Sequence, residues 1–258
     1  MSEQGVHSWD PGAEQRSAPA ELKPLDEDWQ SALCIVAHPD DLEFGAASAV
    51  ARWTGQGKSI GYVMVTSGEA GIDGLGPEEC RTVREAEQVD AARQVGVDQV
   101  DFLGLPDGIL EYGIPLRAAI CAAIRRHRPE IVITGNFHPF FGTDRLNQAD
   151  HIATGRAVLD AVRDAANQWI FHDQIEAGLP RWPGVRQVWE AASPQSGHGV
   201  DISDHLEAGI ASLAAHRAYL DGLDFEIDPE EFLEGFARQD GTRFGTRFAT
   251  AFQVYTFR

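Results

Sequence analysis

Cys34-Ile35-Val36-Ala37-His38-Pro39-Asp40-Asp41-Leu42-Glu43-Phe44-Gly45 decides how the chain is read. A short apolar run over residues 33–37 ends abruptly in a histidine, a proline and two adjacent carboxylates. Small residues follow at once, Gly45, Ala46, Ala47, Ser48 and Ala49. This order is that of a buried strand, a polar loop and the opening of a helix. In open α/β sheets ligands gather beyond the carboxyl ends of the strands, which is where the loop falls. An aspartate here can also serve as an ordinary helix N-cap. One cap accounts for one Asp and leaves His-Pro-Asp-Asp as a group unexplained.

Working outward, residues 60–66, 99–103 and 131–134 are apolar runs that alternate with helical patterns. The helices expected between and after them cover residues 77–95, 116–127 and 151–166. The first of these has Ala86, Val89, Ala92 and Val95 on one face and ends at Gly96. Strands separated by helices predict parallel βαβ units, a Rossmann-like, mostly parallel α/β sheet with helices on both faces. The last third is less regular. Residues 185–191, 199–202 and 250–257 read as strands and 204–223 as one helix, all taken as covering an end of the sheet and shaping the pocket. Residues 1–29 are polar and proline-containing and read as an N-terminal arm, with Trp9 and Trp29 as its anchors, ahead of a single domain over 30–258.

Composition narrows the class. With 258 residues, 43% hydrophobic and 24% charged, the chain suits one large soluble domain. A formal net charge of -19 argues against nucleic acid as a partner, because phosphate binding needs clustered Lys and Arg. No apolar stretch approaches the roughly 20 residues of a membrane span. Cys34, Cys80 and Cys121 are far apart and form no framework, which points to a reducing compartment. No secretory signal is visible, so a cytoplasmic location is expected. An oligomer is compatible with all of this.

The polar loops all fall at the carboxyl ends of expected strands. They carry His38, Asp40 and Asp41, then Glu69, then Asp107, then the segment 135–150 with His138, Asp144, Asn147 and Asp150, followed by His151. Two histidines and several carboxylates meeting on one sheet edge suit a divalent metal of the zinc type. A catalytic zinc takes three protein ligands and keeps a position open for water. Its charge lowers the pKa of that water, and a nearby carboxylate can take the proton. Adjacent Asp40 and Asp41 can divide those tasks. A nucleotide-binding Rossmann protein does not fit, since no G-x-G-x-x-G follows the first strand.

Several motifs resemble the LmbE/PIG-L family of metal-dependent de-N-acetylases and amidases. They are His38-Pro39-Asp40-Asp41-x-Glu43-x-Gly45, Thr66-Ser67-Gly68-Glu69-x-Gly71, Arg84-x-x-Glu87, Phe102-Leu103-Gly104-Leu105-Pro106-Asp107-Gly108 and Asp150-His151, with an echo at Leu213-Ala214-Ala215-His216. The resemblance implies an LmbE-like fold and a zinc site, with Fe2+ as the alternative, held by His38, Asp41 and His151. It implies Asp40 as general base, Asp150 as a carboxylate that orients a histidine, and Glu69, Arg84 and Asp107 as holders of sugar hydroxyls. The implied reaction is hydrolysis of an N-acyl group, usually N-acetyl, from a small glucosamine-containing molecule. An amidase acting on a thiol conjugate or a larger acyl group is the near alternative. A metal- or sugar-binding protein without catalysis is the distant one.

Many members read His-x-Asp-His where this chain has Gln148-Ala149-Asp150-His151. Gln148 can donate a hydrogen bond to an oxyanion but cannot act as a cationic acid. That role then falls to Gln148, to Asn147 or His138, or to the metal. A second departure lies at His216-Arg217-Ala218-Tyr219, where relatives often have His-x-Ser-Gln.

Overall fold

The computed structural model describes residues 21–142 and 145–257. In chain order the elements are β1 (Lys23–Pro24), β2 (Ser31–Val36), α1 (Ala47–Gly55), β3 (Ser59–Met64), α2 (Pro77–Gln94), β4 (Gln99–Phe102), α3 (Ile114–His127), β5 (Ile131–Thr134) and β6 (Phe140–Phe141). They continue with β7 (Arg145–Leu146), α4 (Ala149–Ala166), α5 (His172–Glu176), β8 (Gln187–Ala191), β9 (His198–Asp201), α6 (Leu206–Ala214), α7 (Arg217–Asp221), α8 (Pro229–Phe244) and β10 (Ala249–Thr256).

β2 is apolar on both faces because helices cover both. Ala32, Cys34 and Val36 join one core with α1, α6 and α8, while Leu33, Ile35 and Ala37 join the other with α3 and α4. Each wholly buried Leu or Ile contributes about 1.5–3 kcal/mol. The main sheet runs β1-β9-β10-β8-β5-β2-β3-β4. β8, β5, β2, β3 and β4 are mutually parallel, and β10 is antiparallel to both β8 and β9. The mostly parallel α/β sheet expected from the alternation is therefore present.

The order of strands places the site. From β2 the chain steps outward to β3 and β4, then returns to β5 on the other side of β2. Strand order reverses at β2, and the crevice at such a switch point opens beyond its carboxyl end. His38-Pro39-Asp40-Asp41 stands there.

The last third departs from its sequence reading in two ways. The single helix expected over 204–223 is two helices, α6 and α7, because His216 leaves helical geometry (φ -79, ψ 56). Its ring turns inward to lie 3.5 Å from the Glu43 carboxylate, and Glu87 accepts the first free N–H groups of α7 from Ala218 and Tyr219. α8 was not expected at all, although its signals were present: Asp228 caps it, accepting from Glu230 and Glu231, Pro229 opens it, and Gly245 closes it at φ 84. β10 threads between β8 and β9, so these elements complete the main sheet.

Part of the expected N-terminal arm is embedded. β1 pairs with β9, and Trp29 packs edge-on against Trp53 and Trp189 at 5.4 and 5.7 Å between centroids. Trp9 lies outside the described residues, as does Asp144. All three cysteines are buried and free. No helix among the described residues is long and apolar enough to cross a membrane.

Candidate functional site

The loop after β2 folds on its own side chains. The His38 N–H donates to Asp41 Oδ2 at 2.9 Å, and the N–H groups of Glu43 and Phe44 return to the Asp40 carbonyl. With one oxygen spent on this turn, Asp41 offers the other, Oδ1, to His151 Nε2 at 2.9 Å. His151 stands in the first turn of α4, and His38 Nδ1 faces its Nε2 at 3.1 Å. Residues 113 positions apart thus converge on one point, one from the loop after β2 and one from the first turn of α4.

Two ring nitrogens and a carboxylate oxygen that confront one another can share a proton or hold a metal ion between them. The opposite ring nitrogens are already engaged. His151 Nδ1 lies 2.9 Å from Asn147 Oδ1, while His38 Nε2 lies 3.0 Å from Asp107 Oδ1 and 3.3 Å from Asp150 Oδ2. Such outer partners fix the tautomer that leaves the inner nitrogen unprotonated for a metal. His38, Asp41 and His151 each bring a ligand atom within 4.8 Å of the others, and the donor set, two imidazoles and one carboxylate, suits a zinc-type ion. Charge agrees. Burial opposes a proton on His38, but the carboxylates of Asp107, Asp150 and Asp41 outweigh it and hold its pKa well above the usual range. Burial likewise disfavours charge on Asp41, yet His151 and His38 pull its pKa well down. The centre carries a standing demand for positive charge, which a divalent ion would meet.

A second trio, His38, Asp107 and Asp150, shares the same histidine. Its carboxylates are committed elsewhere. Asp150 accepts the N–H groups of Gly108 and Leu110 at 2.8 and 3.0 Å, and Asp107 accepts that of Ala70 at 2.9 Å. These carboxylates hold loops against His38.

Asp40 is buried beside this centre and has a left-handed backbone, φ 96. Burial raises its carboxyl above the ordinary range, Asp41 adds to this, and the Arg84 guanidinium, 3.1 Å away, pulls the other way. A carboxylate whose pKa is moved toward neutrality is suited to accept and return a proton.

The residues expected to grip a sugar are placed variously. Arg84 is 3% exposed; it donates to the carbonyls of Pro39 and Gly68 and stacks 4.1 Å over the Tyr219 ring. Room for it depends on Gly68 and Gly71, where a Cβ would stand 2.6 and 2.2 Å from Arg84 Nη1; Gly68 also has φ 64. Glu69 accepts from the N–H groups of Ser67 and Asp107 and lies 3.5 Å from Arg81. His138 turns to Gln253 at 2.9 Å, whereas Asn147, buried, ties the segment to His151 by donating to the carbonyls of Asn136 and His138. Gln148 is the exposed N-cap of α4. Sequence reasoning did not find the buried group behind Asp40: Gln88, Glu43, Ser212 and His216. Glu43 and His216 stand in the motifs quoted from the sequence without a role there, and the spacing of Arg84 and Gln88 on α2 is the signal for Gln88.

Comparisons with known proteins give the family and the fold. Residues 33–162 match the PIG-L family, described as GlcNAc-PI de-N-acetylase. The chain is similar to diacetylchitobiose deacetylase of Thermococcus kodakarensis, 28% identical over 225 residues covering 86% of this chain and 82% of that one. It is also similar to the probable N-acetyl-alpha-D-glucosaminyl L-malate deacetylase 2 of Bacillus cereus, 32% identical over 199 residues covering 74% and 84%. Its fold resembles N,N'-diacetylchitobiose deacetylase from Pyrococcus horikoshii, with a TM-score of 0.79, 24% identity and coverage of 89% and 85%.

Proposed function

Because the chain belongs to the PIG-L family of GlcNAc-PI de-N-acetylases, we propose that it is a zinc-dependent hydrolase removing the N-acetyl group from a small glucosamine-containing molecule. The observation that carries this reading is the junction of His38, Asp41 and His151 with buried Asp40 on the same loop. Relatives named for diacetylchitobiose and for GlcNAc-malate favour an amino-sugar substrate.

His38 Nδ1, the Asp41 carboxylate and His151 Nε2 would hold the ion. When bound, it supplies Lewis acidity, polarising an amide carbonyl and easing loss of a proton from water. Asp40 takes that proton as the water oxygen bonds to the acyl carbon, and then hands it to the nitrogen as the C–N bond breaks. Acetate and the free amine leave. Asp107 and Asp150 hold the His38 ring in place throughout, and Asn147 does the same for His151. Gln148, at the solvent-facing mouth, can donate an amide hydrogen bond toward the acyl oxygen.

A second reading of the same site, a larger acyl group, is favoured by exposed apolar side chains on the loops that carry its residues. Ile109 is 71%, Leu146 72% and Phe140 44% exposed. Ile109 lies between the two N–H groups that Asp150 accepts, and Phe140 pairs with Leu146 just ahead of α4. Incubating zinc-loaded and iron-loaded protein with glucosaminides bearing N-acyl chains of increasing length, followed by mass spectrometry, separates the readings. N-acetyl release in the zinc form is expected; preference for long chains selects the second reading, and release of no acyl group from any glucosaminide overturns both.

A further inference from the structure

Asp40 raises a question that its proton chemistry does not answer: what holds a non-glycine residue at φ 96? Such a conformation is strained and persists only where its surroundings over-determine it. The surroundings here are one turn of α2. The peptide group joining Pro39 to Asp40 is gripped at both ends, its carbonyl accepting from Arg84 Nη2 and its N–H donating to Gln88 Oε1 at 2.9 Å. Arg84 and Gln88 are four residues apart, so they project from the same face of the helix. Gln88 is itself fixed. Its amide donates to Glu43 Oε1 at 3.0 Å, and the Ser212 hydroxyl lies 3.3 Å from that same oxygen. Gln88, Glu43 and Ser212 are all buried, so water does not compete for these bonds.

We propose that Gln88 is a positioning residue of the reaction: by holding the Pro39–Asp40 peptide against α2, it imposes the left-handed backbone that directs the Asp40 carboxylate into the site. Removing its oxygen leaves the Asp40 N–H buried without an acceptor, which is unfavourable. Rotation of the peptide relieves both that cost and the backbone strain, and it carries the carboxylate away. A shift of about 1 Å in a reacting group is enough to cost on the order of 10²-fold in rate. The kinetic part of this inference rests on the deacetylase reading; the backbone part does not.

Two variants of nearly equal length test it. Gln88→Met has no acceptor for the Asp40 N–H, whereas Gln88→Glu keeps an oxygen there. We expect Gln88→Met to lower kcat by about 10²-fold with KM and bound metal unchanged, and Gln88→Glu to recover most of that loss. Glutamate beside Glu43 in a dry interior is the less heat-stable of the two. Activity and stability should therefore rank the variants oppositely, which a residue that only fills space would not produce. The crystal structure of Gln88→Met should show the Pro39–Asp40 peptide turned and Asp40 out of the left-handed region. Wild-type kcat in Gln88→Met, or an Asp40 backbone unmoved in that crystal, overturns the proposal. If the Met variant does not fold, Gln88→Asn, which retracts the amide by one methylene, is read in the same way. The backbone angle needs no turnover, so an inactive wild type would sink the deacetylase reading while the clamp is still judged by that angle.

Discussion

The two walls of the site are built on opposite plans. On one side, α2 lays Arg84 and Gln88, both buried, against the loop after β2, where they hold the two ends of the Pro39–Asp40 peptide and Gln88 is itself bound to Glu43. On the other, the segment from β5 to α4 is anchored through Asn136 and Asn147, delivers His151, and otherwise leaves Phe140, Leu146 and Gln148 facing solvent. The first wall backs the loop that carries the proposed base and two of the proposed ligands with buried packing. The second contributes one ligand and a surface that can change without disturbing the core. We propose that the chemistry and its rate reside in the dry wall, and substrate choice in the wet one.

If that division holds, effects should grade from one wall to the other. Asp40→Asn keeps the shape of the dry wall and removes its base, so kcat should fall by about 10²–10⁴-fold while bound metal, measured by mass spectrometry of the native protein, stays at the wild-type level. Loss of metal together with activity would show that Asp40 is a ligand. Asn147→Ala acts on the anchored part of the wet wall. Freed of its outer partner, His151 should hold zinc about 10–100-fold more weakly, read by competition with a chelating dye, and unchanged affinity would remove Asn147 from the account. Gln148→Ala, at the exposed end, should cost less than about tenfold in kcat, since a solvent-facing hydrogen bond is worth about 0.5–1.5 kcal/mol. A larger loss would move Gln148 into the machinery.

Acidity sharpens the same contrast. The carboxylates around His38 raise its pKa above the ordinary 6.5. A proton there stabilises the metal-free fold fully below the unfolded value, and this stability is lost as pH rises through the raised value. A metal needs the neutral ring. Zinc should therefore add least to the melting temperature in acid and progressively more as pH rises across that window. A zinc-induced shift that is flat with pH would contradict the assignment of His38.

The dry wall was the more legible in sequence, but only at the chain level. His38, Asp40 and Asp41 are contiguous, and an apolar run followed by small residues places them on a strand-to-helix loop. The role of Arg84 was not legible, because it depends on two glycines 13 and 16 positions earlier leaving space for a guanidinium. Nor was the break at His216, whose helical spacing is sound and whose inward turn is set by Glu43, far away in the chain. Asn147 and His138 looked alike as loop polar residues. Only tertiary placement separates the one that orients His151 from the one that turns to Gln253.

The central claim is that the loop after β2 and the start of α4 build one metal centre. Anomalous diffraction at the zinc edge from crystals grown with zinc tests it directly. A single peak about 2.0–2.2 Å from His38 Nδ1, an Asp41 oxygen and His151 Nε2 is expected. A peak on the other face of His38, between Asp107 and Asp150, or no bound ion at all, would contradict it.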